Sequence, residues 1–259
     1  MRSKGELISQ LVEMGLEPTD VVMIHSSMKA IGEVEGGAQG VLDVLMDYFK
    51  EGLLLLPTHT WATVIDSQPV YNPATEPSCV GILSNLFLKR DKVYRSLHPT
   101  HSVAAFGRDA KAYVQGEERF HTPCPREGCW GRLVDRRAKL LFIGATLKTN
   151  TFIHGIEEWM MIPQRLSAST HTMYIDLKDR RIEKHMNRHD TPGIDVSKQY
   201  DKVEPLLLAR GAATIGRFGQ AKTYVLDAVR TYELVSSLLK EQPDTFAHVG
   251  PLENWEHIR

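Results

Sequence analysis

Cysteine is scarce. Cys79, Cys124 and Cys129 are the only three in 259 residues, and no two of them form a Cys-x-x-Cys pair. An odd, sparse set excludes a disulfide framework and a zinc knuckle, and predicts reduced thiols in the cytoplasm. Long apolar runs are also missing. The longest, such as Leu53–Leu56 and Leu140–Ile143, fall far short of the roughly 20 residues a membrane-spanning helix needs. The chain begins Met1-Arg2-Ser3-Lys4-Gly5-Glu6, charged where a signal peptide needs an apolar stretch. Neither charge sign dominates: 31 basic residues face 32 acidic ones, which leaves no broad cationic footprint for nucleic acid or an anionic membrane. Internal repeats, low-complexity tracts and Pro/Ser-rich linkers are absent too.

What remains has an ordinary globular composition, 42% apolar and 24% charged, which can fill a sizeable core. At a typical 150 residues per domain, the length permits one large domain or two small ones. Without a linker, one domain over residues 1–259 is expected. Ser3-x-x-Glu6 is a capping box ahead of Leu7, Ile8, Leu11 and Val12 at helical spacing. Val21–Ile24, Leu53–Leu56 and Leu140–Ile143 read as strands covered on both faces. Amphipathic helices are expected between and after them: Val41 to Phe49, Gly81 to Lys89 and Thr151 to Met161. The alternation of Met173, Ile175 and Leu177, with a polar turn at Lys178–Arg181, predicts an antiparallel hairpin over about 170–190, appended to the sheet. Lys222–Leu226 reads as a last strand and Asp227–Leu239 as a last helix. The order predicts an α/β sandwich around a mostly parallel central sheet.

Ligands of such sheets bind beyond the carboxyl ends of the strands. There lie His25-Ser26-Ser27, Pro57-Thr58-His59-Thr60-Trp61 and Gly144-Ala145-Thr146. His154-x-x-Glu157 occupies one face of a predicted helix, where a carboxylate can hold one ring nitrogen and leave the other free as a base. Glu158, one residue on, can serve the same purpose. The same spacing also suits a surface His–Glu pair, and a metal reading lacks a third ligand marked by spacing. The Gly32–Ala38 loop, ahead of a helix start, offers N–H donors to an anion, yet no Lys-Ser/Thr completes a phosphate loop. Ser102 to Phe106 is small and apolar, suited to lie under a ligand or inside the core. His185 and His189 fall among Arg and Asn, as on a solvated face. Neither Cys124 nor Cys129 has an activating neighbour in sequence, so no nucleophile is assigned.

Taken in order, these pieces resemble the aminoglycoside 3-N-acetyltransferase family. The matching stretches begin with His25-Ser26-Ser27-Met28, Ile31-Gly32-x-Val34-x-Gly36-Gly37-Ala38, Leu56-Pro57-Thr58 and Tyr71-Asn72-Pro73. They continue through Arg95-Ser96-x-His98-Pro99-x-x-Ser102-x-Ala104-Ala105-x-Gly107 and Leu141-x-x-Gly144 to Thr151-x-x-His154-x-x-Glu157. Gly216-x-x-Gly219-x-Ala221 closes the set, and the likeness runs from about residue 5 to 247. The resemblance implies a three-layer α/β/α sandwich and transfer of an acetyl group from acetyl-CoA to an amine, without a metal. It implies that His25, Ser26, Ser27, Met28, Ile31, Val34, Gly36 and Gly37, with Ser102, Val103 and Ala104, line the CoA site. His154 would be the general base with Glu157 fixing its tautomer, and Thr58, Trp61, Tyr71 and Glu158 would meet the acceptor. The acceptor so implied is the 3-amino group of an aminoglycoside, and the enzyme a cytoplasmic monomer or homodimer. Asn72 and Ala62-Thr63 stand where many relatives carry acidic residues, which leaves another small amine as a rival acceptor. A metal-dependent hydrolase using His25, His59, His98, His101 and His154, and a non-catalytic CoA-binding protein, are the competing classes.

Overall fold

In the computed structural model, which describes residues 1–259, the capping box opens helix α1 (Lys4–Glu13). The Ser3 hydroxyl accepts from the Glu6 amide, and the Glu6 carboxylate accepts from the Ser3 N–H. Strand β1 (Val21–Ser26) runs through a single turn, α2 (Met28–Ile31), to α3 (Gly37–Tyr48) and β2 (Leu53–Pro57). Next come β3 (Val70–Tyr71), α4 (Ile82–Phe87), β4 (Tyr94–Arg95) and β5 (Val103–Gly107). Short helices α5 (Ala110–Tyr113) and α6 (Arg132–Asp135) lead to β6 (Lys139–Ile143) and α7 (Thr151–Trp159). The hairpin is β7 (His171–Asp176) and β8 (Arg181–Met186). A 3-10 helix (Val196–Val203) and α8 (Glu204–Ala209) precede β9 (Ala213–Phe218), β10 (Ala221–Asp227) and α9 (Ala228–Glu241).

Seven strands form the main sheet in the order β4-β5-β2-β1-β6-β10-β9. β1 pairs in parallel with β2 and β6, the three strands legible as apolar runs. β5 is antiparallel to β2 and β4, and β10 is antiparallel to β6 and β9. Thus β1, β2, β4, β6 and β9 point one way, and β5 and β10 point back. The strand side chains alternate between two cores. Met23, Leu53, Leu55, Leu140 and Phe142 pack with residues of α7 and α9, whereas Val22, Ile24, Leu54, Leu56, Leu141 and Ile143 pack with α1 and α3. Burial on both faces is why these strands lack polar alternation. Each fully buried aliphatic side chain contributes about 2 kcal/mol.

The hairpin is antiparallel as expected, but it is not appended to the main sheet. It pairs with β3 in a separate three-stranded sheet. Met173, Ile175 and Met186 need an apolar cover, and Val64 and Tyr71 provide it in a small core of their own. No helix is long and apolar enough to cross a membrane.

At the carboxyl ends of β1, β2 and β6 the chain turns into loops around a cleft. Gly144 makes one of these turns at φ +65°, and a Cβ there would sit 2.3 Å from the Ala30 Cβ. Only glycine lets the chain leave β6 so close to α2.

Candidate active site

The cleft has a volume of about 770 Å³, within the size range of small-molecule sites. Its floor comes from the strand ends (Ile24, His25, Ser26, Pro57) and its walls from loops carrying His59, Trp61, Thr100 and His101. Thr151 and His154 at the start of α7 form a third side. The segment from Arg188 to Ser197, which carries Asp190 and Asp195, forms the fourth.

Helix α7 buries Phe152, Ile153 and Ile156, and this fixes the direction of His154. Its Nδ1 lies 2.6 Å from the Tyr200 hydroxyl, while Nε2 has no protein partner. The ring stacks on His189, with centroids 4.1 Å apart and planes 11° from parallel. Burial, the neighbouring His189 and Arg165 hold the imidazole well below the usual histidine range, with Asp195 opposing them. The ring is therefore neutral at physiological pH. Glu157 is wholly buried behind it. Its Oε2 accepts from the Tyr200 hydroxyl at 2.5 Å, and its Oε1 accepts from Arg165 Nε at 2.5 Å. Burial raises the carboxyl, and these two donors pull it back. The direct His154–Glu157 contact expected from the spacing is not made, because Tyr200 stands between them. A neutral imidazole at a cleft wall, backed by a buried carboxylate, is equipped to take a proton from an incoming nucleophile.

The other histidines gather around this ring. His59 and His101 lie 4.7 Å apart between centroids, and His101 and His189 5.0 Å apart. Burial holds His25 and His189 at about 3 and His98 at about 4, so all three are neutral. Only His98 has both nitrogens engaged, while Nδ1 of His59 and of His189 is buried without a partner. His98 Nδ1 accepts from the amides of Thr100 and His101, and His59 Nε2 meets the Thr151 hydroxyl. None of the five histidines of the hydrolase reading belongs to a set of three convergent ligand atoms. The one such set is Cys124, Glu158 and His189. There Glu158 Oε1 already accepts from the Cys124 amide at 2.8 Å and from His189 Nε2 at 2.6 Å. Burial pushes the Cys124 thiol well up, so it is no nucleophile. His185 is exposed as expected, but His189 is not on a solvated face. The chain after β8 turns back under α7, with Asp190 N bonded to Arg165 O, and carries His189 into the cleft.

Of the residues expected to bind ligands, the structure brings His25, Ser26, Trp61 and His154 to the cleft. The others stand elsewhere. Val103 and Ala104 are fully buried in β5 and face opposite cores, so their side chains cannot line a ligand. The Ser102 hydroxyl donates to Thr58 O and receives Arg95 Nε, and Thr58 is locked in the same network. Ser102 therefore braces strand ends and is not free to meet an oxyanion. Ser27 caps α2, Ile31 and Val34 fill a core, and Met28 packs against it. Gly36 and Gly37 open α3 without lining the cleft. Tyr71 is buried with its hydroxyl on Ser96 O, and Glu158 holds His189 from behind. Sequence reasoning missed Tyr200, His189, Asp190, Asp195 and Arg165. They lie on segments without apolar periodicity, and Tyr200 is 43 residues from Glu157.

Comparison with known proteins accords with this geometry. A family model described as aminoglycoside 3-N-acetyltransferase matches residues 23–240. The chain therefore belongs to the aminoglycoside 3-N-acetyltransferase family, a family of acyltransferases. It is 26% identical over 252 residues to aminoglycoside N(3)-acetyltransferase IX of Micromonospora chalcea, covering 87% of this chain and 89% of that one. The crystal structure of aminoglycoside acetyltransferase AAC(3)-Xa superposes with a TM-score of 0.81 at 26% identity, over 92% of each chain. AAC-IIIb in its binary complex with CoASH superposes with a TM-score of 0.82, over 93% of this chain and 97% of that one. At 19% identity that second likeness speaks for the fold alone.

Proposed function

We propose that this protein transfers the acetyl group of acetyl-CoA to the 3-amino group of an aminoglycoside, with His154 as general base. The observation that carries the reading is the neutral imidazole, unpartnered at Nε2, on the wall of the cleft at the strand ends. Family membership supports acetyl-CoA as the acyl donor. An ammonium group has no lone pair, so a base must remove its proton before or during attack on the thioester carbonyl. One ammonium proton goes to solvent to bare the lone pair, and His154 Nε2 takes the second from nitrogen as the C–N bond forms. Collapse of the tetrahedral adduct breaks the C–S bond, and the departing sulfur receives the proton. Holding both substrates in one cleft provides much of the acceleration, and no acyl-enzyme is required.

Asp190 and Asp195 on the fourth wall favour a polycationic acceptor, since the two cations of the lining, Lys148 and Arg188, are paired with Asp201 and Asp66. They supply carboxylates that the Ala62-Thr63 segment lacks, and so favour an aminoglycoside over a simple amine. We also read the two cores on either face of the main sheet as a three-layer α/β/α sandwich, a single domain over residues 1–259. We read the protein as a cytoplasmic monomer or homodimer, and the few cysteines, all free, suit the reducing compartment. Thiol release from acetyl-CoA, followed with a thiol reagent across a panel of aminoglycosides and simple amines, tests the reading. Release only with aminoglycosides, giving a 3-N-acetyl product by NMR, is expected. Release with simple amines alone would overturn the acceptor, and CoA binding without turnover on any amine would overturn the activity.

A further inference from the structure

We infer that Tyr200 is the positioning residue through which Glu157 acts on His154, fixing the imidazole with its proton on Nδ1 and its lone pair on Nε2. The inference rests on the reading of His154 as the base. The tyrosine hydroxyl has a single proton and two close neighbours. Glu157 Oε2, at 2.5 Å, belongs to a carboxylate whose other oxygen receives Arg165 Nε, and an ionised carboxylate only accepts. The tyrosine proton is therefore committed to Glu157. What the Tyr200 oxygen turns toward His154 Nδ1, 2.6 Å away, is a lone pair. An unprotonated Nδ1 there would oppose two lone pairs across a short contact, so Nδ1 carries the proton. In a neutral imidazole the other nitrogen is then bare.

No other group performs this task. Both oxygens of Glu157 are occupied by Arg165 and Tyr200, and Glu158 is held by Cys124 N and His189. The titratable and charged groups around the ring are Glu157 on its own helix, with Tyr200 and Arg165 behind it, His189 stacked on its face, His59 and His101 from the loops across the cleft, and Asp195 on the neighbouring wall. The Tyr200 ring is itself anchored, edge-on to His154 at 4.8 Å and to Phe246 at 4.9 Å. When Nε2 accepts the amine proton, the new positive charge lies against an oxygen already polarised by a carboxylate. The Nδ1 proton stays in place throughout, and the amine proton leaves with the sulfur.

Tyr200→Phe keeps the ring and removes the bridge. Expected is a fall in kcat of about 10- to 100-fold, short of the full worth of a general base, roughly 100- to 10,000-fold, because the base itself stays, with KM for acetyl-CoA changed by less than about twofold. The acid limb of the pH profile of kcat/KM moves to lower pH, because the imidazolium loses its link to the carboxylate. A drop in melting temperature with an unmoved acid limb marks a merely structural role and overturns the inference, as does wild-type kcat. Nitrogen-15 NMR of histidine-labelled wild-type protein, with His154 assigned by its absence in His154→Ala, decides the matter even if the variant fails to fold. A protonated Nδ1 is expected, and a bare Nδ1 refutes the assignment. Full turnover in His154→Ala would instead sink the base reading itself. An inactive His154→Ala beside a normal Tyr200→Phe sinks only the role of Tyr200.

Discussion

Changing Glu157 to glutamine (Glu157→Gln) preserves the side-chain volume and removes one negative charge and one acceptor. The carboxylate accepts on one oxygen from Arg165 and on the other from Tyr200. An amide has a single acceptor, so its NH₂ must face either the guanidinium or the hydroxyl. Side-chain exposure is 4% for Arg165 and 0% for Glu157, so the guanidinium is left buried without its counter-charge. Breaking such a pair from one side costs about 3–5 kcal/mol. The carbonyls of Pro163 and Pro243 still hold the Arg165 Nη atoms, which places the cost near the lower end, about 3 kcal/mol. In a protein of this size that lowers the melting temperature by about 6 °C. Urea unfolding of Glu157→Gln, Arg165→Met and the double variant measures it. The double variant should recover much of the loss, since no unpaired charge remains. A loss under about 1 kcal/mol, or additive costs, would refute the buried-pair argument.

Two further outcomes follow from the cleft and its histidines. Asp195→Asn should raise KM for a polycationic aminoglycoside several-fold and leave KM for acetyl-CoA unchanged, an effect that shrinks as salt is added. Steady-state kinetics at two ionic strengths checks it, and a salt-independent change would contradict it. Stability should fall as pH drops below 6.5, the ordinary histidine value, because His25 and His189 titrate at about 3 and His98 at about 4 in the folded chain. Below pH 6.5 the unfolded chain binds protons that these three folded histidines refuse, so the stability present above that pH is lost on acidification. Glu158, raised to about 7 by burial, binds its proton in the folded state and offsets about one histidine between pH 4.5 and 6.5. These two uncompensated histidines alone give a slope of about 3 kcal/mol per pH unit, and His59, His101 and His154, held well below the ordinary value by burial, steepen it. Urea midpoints at pH 7, 6 and 5 measure it, and a flat profile would contradict the neutral burial.

The parallel heart of the sheet was legible because β1, β2 and β6 are buried on both faces and read as continuous apolar runs. β5 and β9 were obscure for opposite reasons. Val103-Ala104-Ala105 is too small to signal a strand, and β9, at the sheet edge, buries only its end residues Ala213 and Phe218. The hairpin was visible from Met173 and Ile175, but its partner β3 is two residues long and leaves no periodic trace. At the site, His154 and Glu157 announced themselves by helical spacing. The group between them did not, because Tyr200 arrives from a 3-10 helix far along the chain. Small residues such as Val103 and Ala104 are ambiguous for a related reason. A core strand and a ligand-lining strand select the same side chains, and only the packing on both faces separates them.

The most direct test of the account is turnover in His154→Ala, read as thiol release with a saturating aminoglycoside, beside calorimetric binding of acetyl-CoA. The account predicts kcat lower by about 100-fold or more with acetyl-CoA affinity essentially retained. Turnover near the wild-type rate would show that the proton leaves the amine by another route, and would contradict the role given to this imidazole.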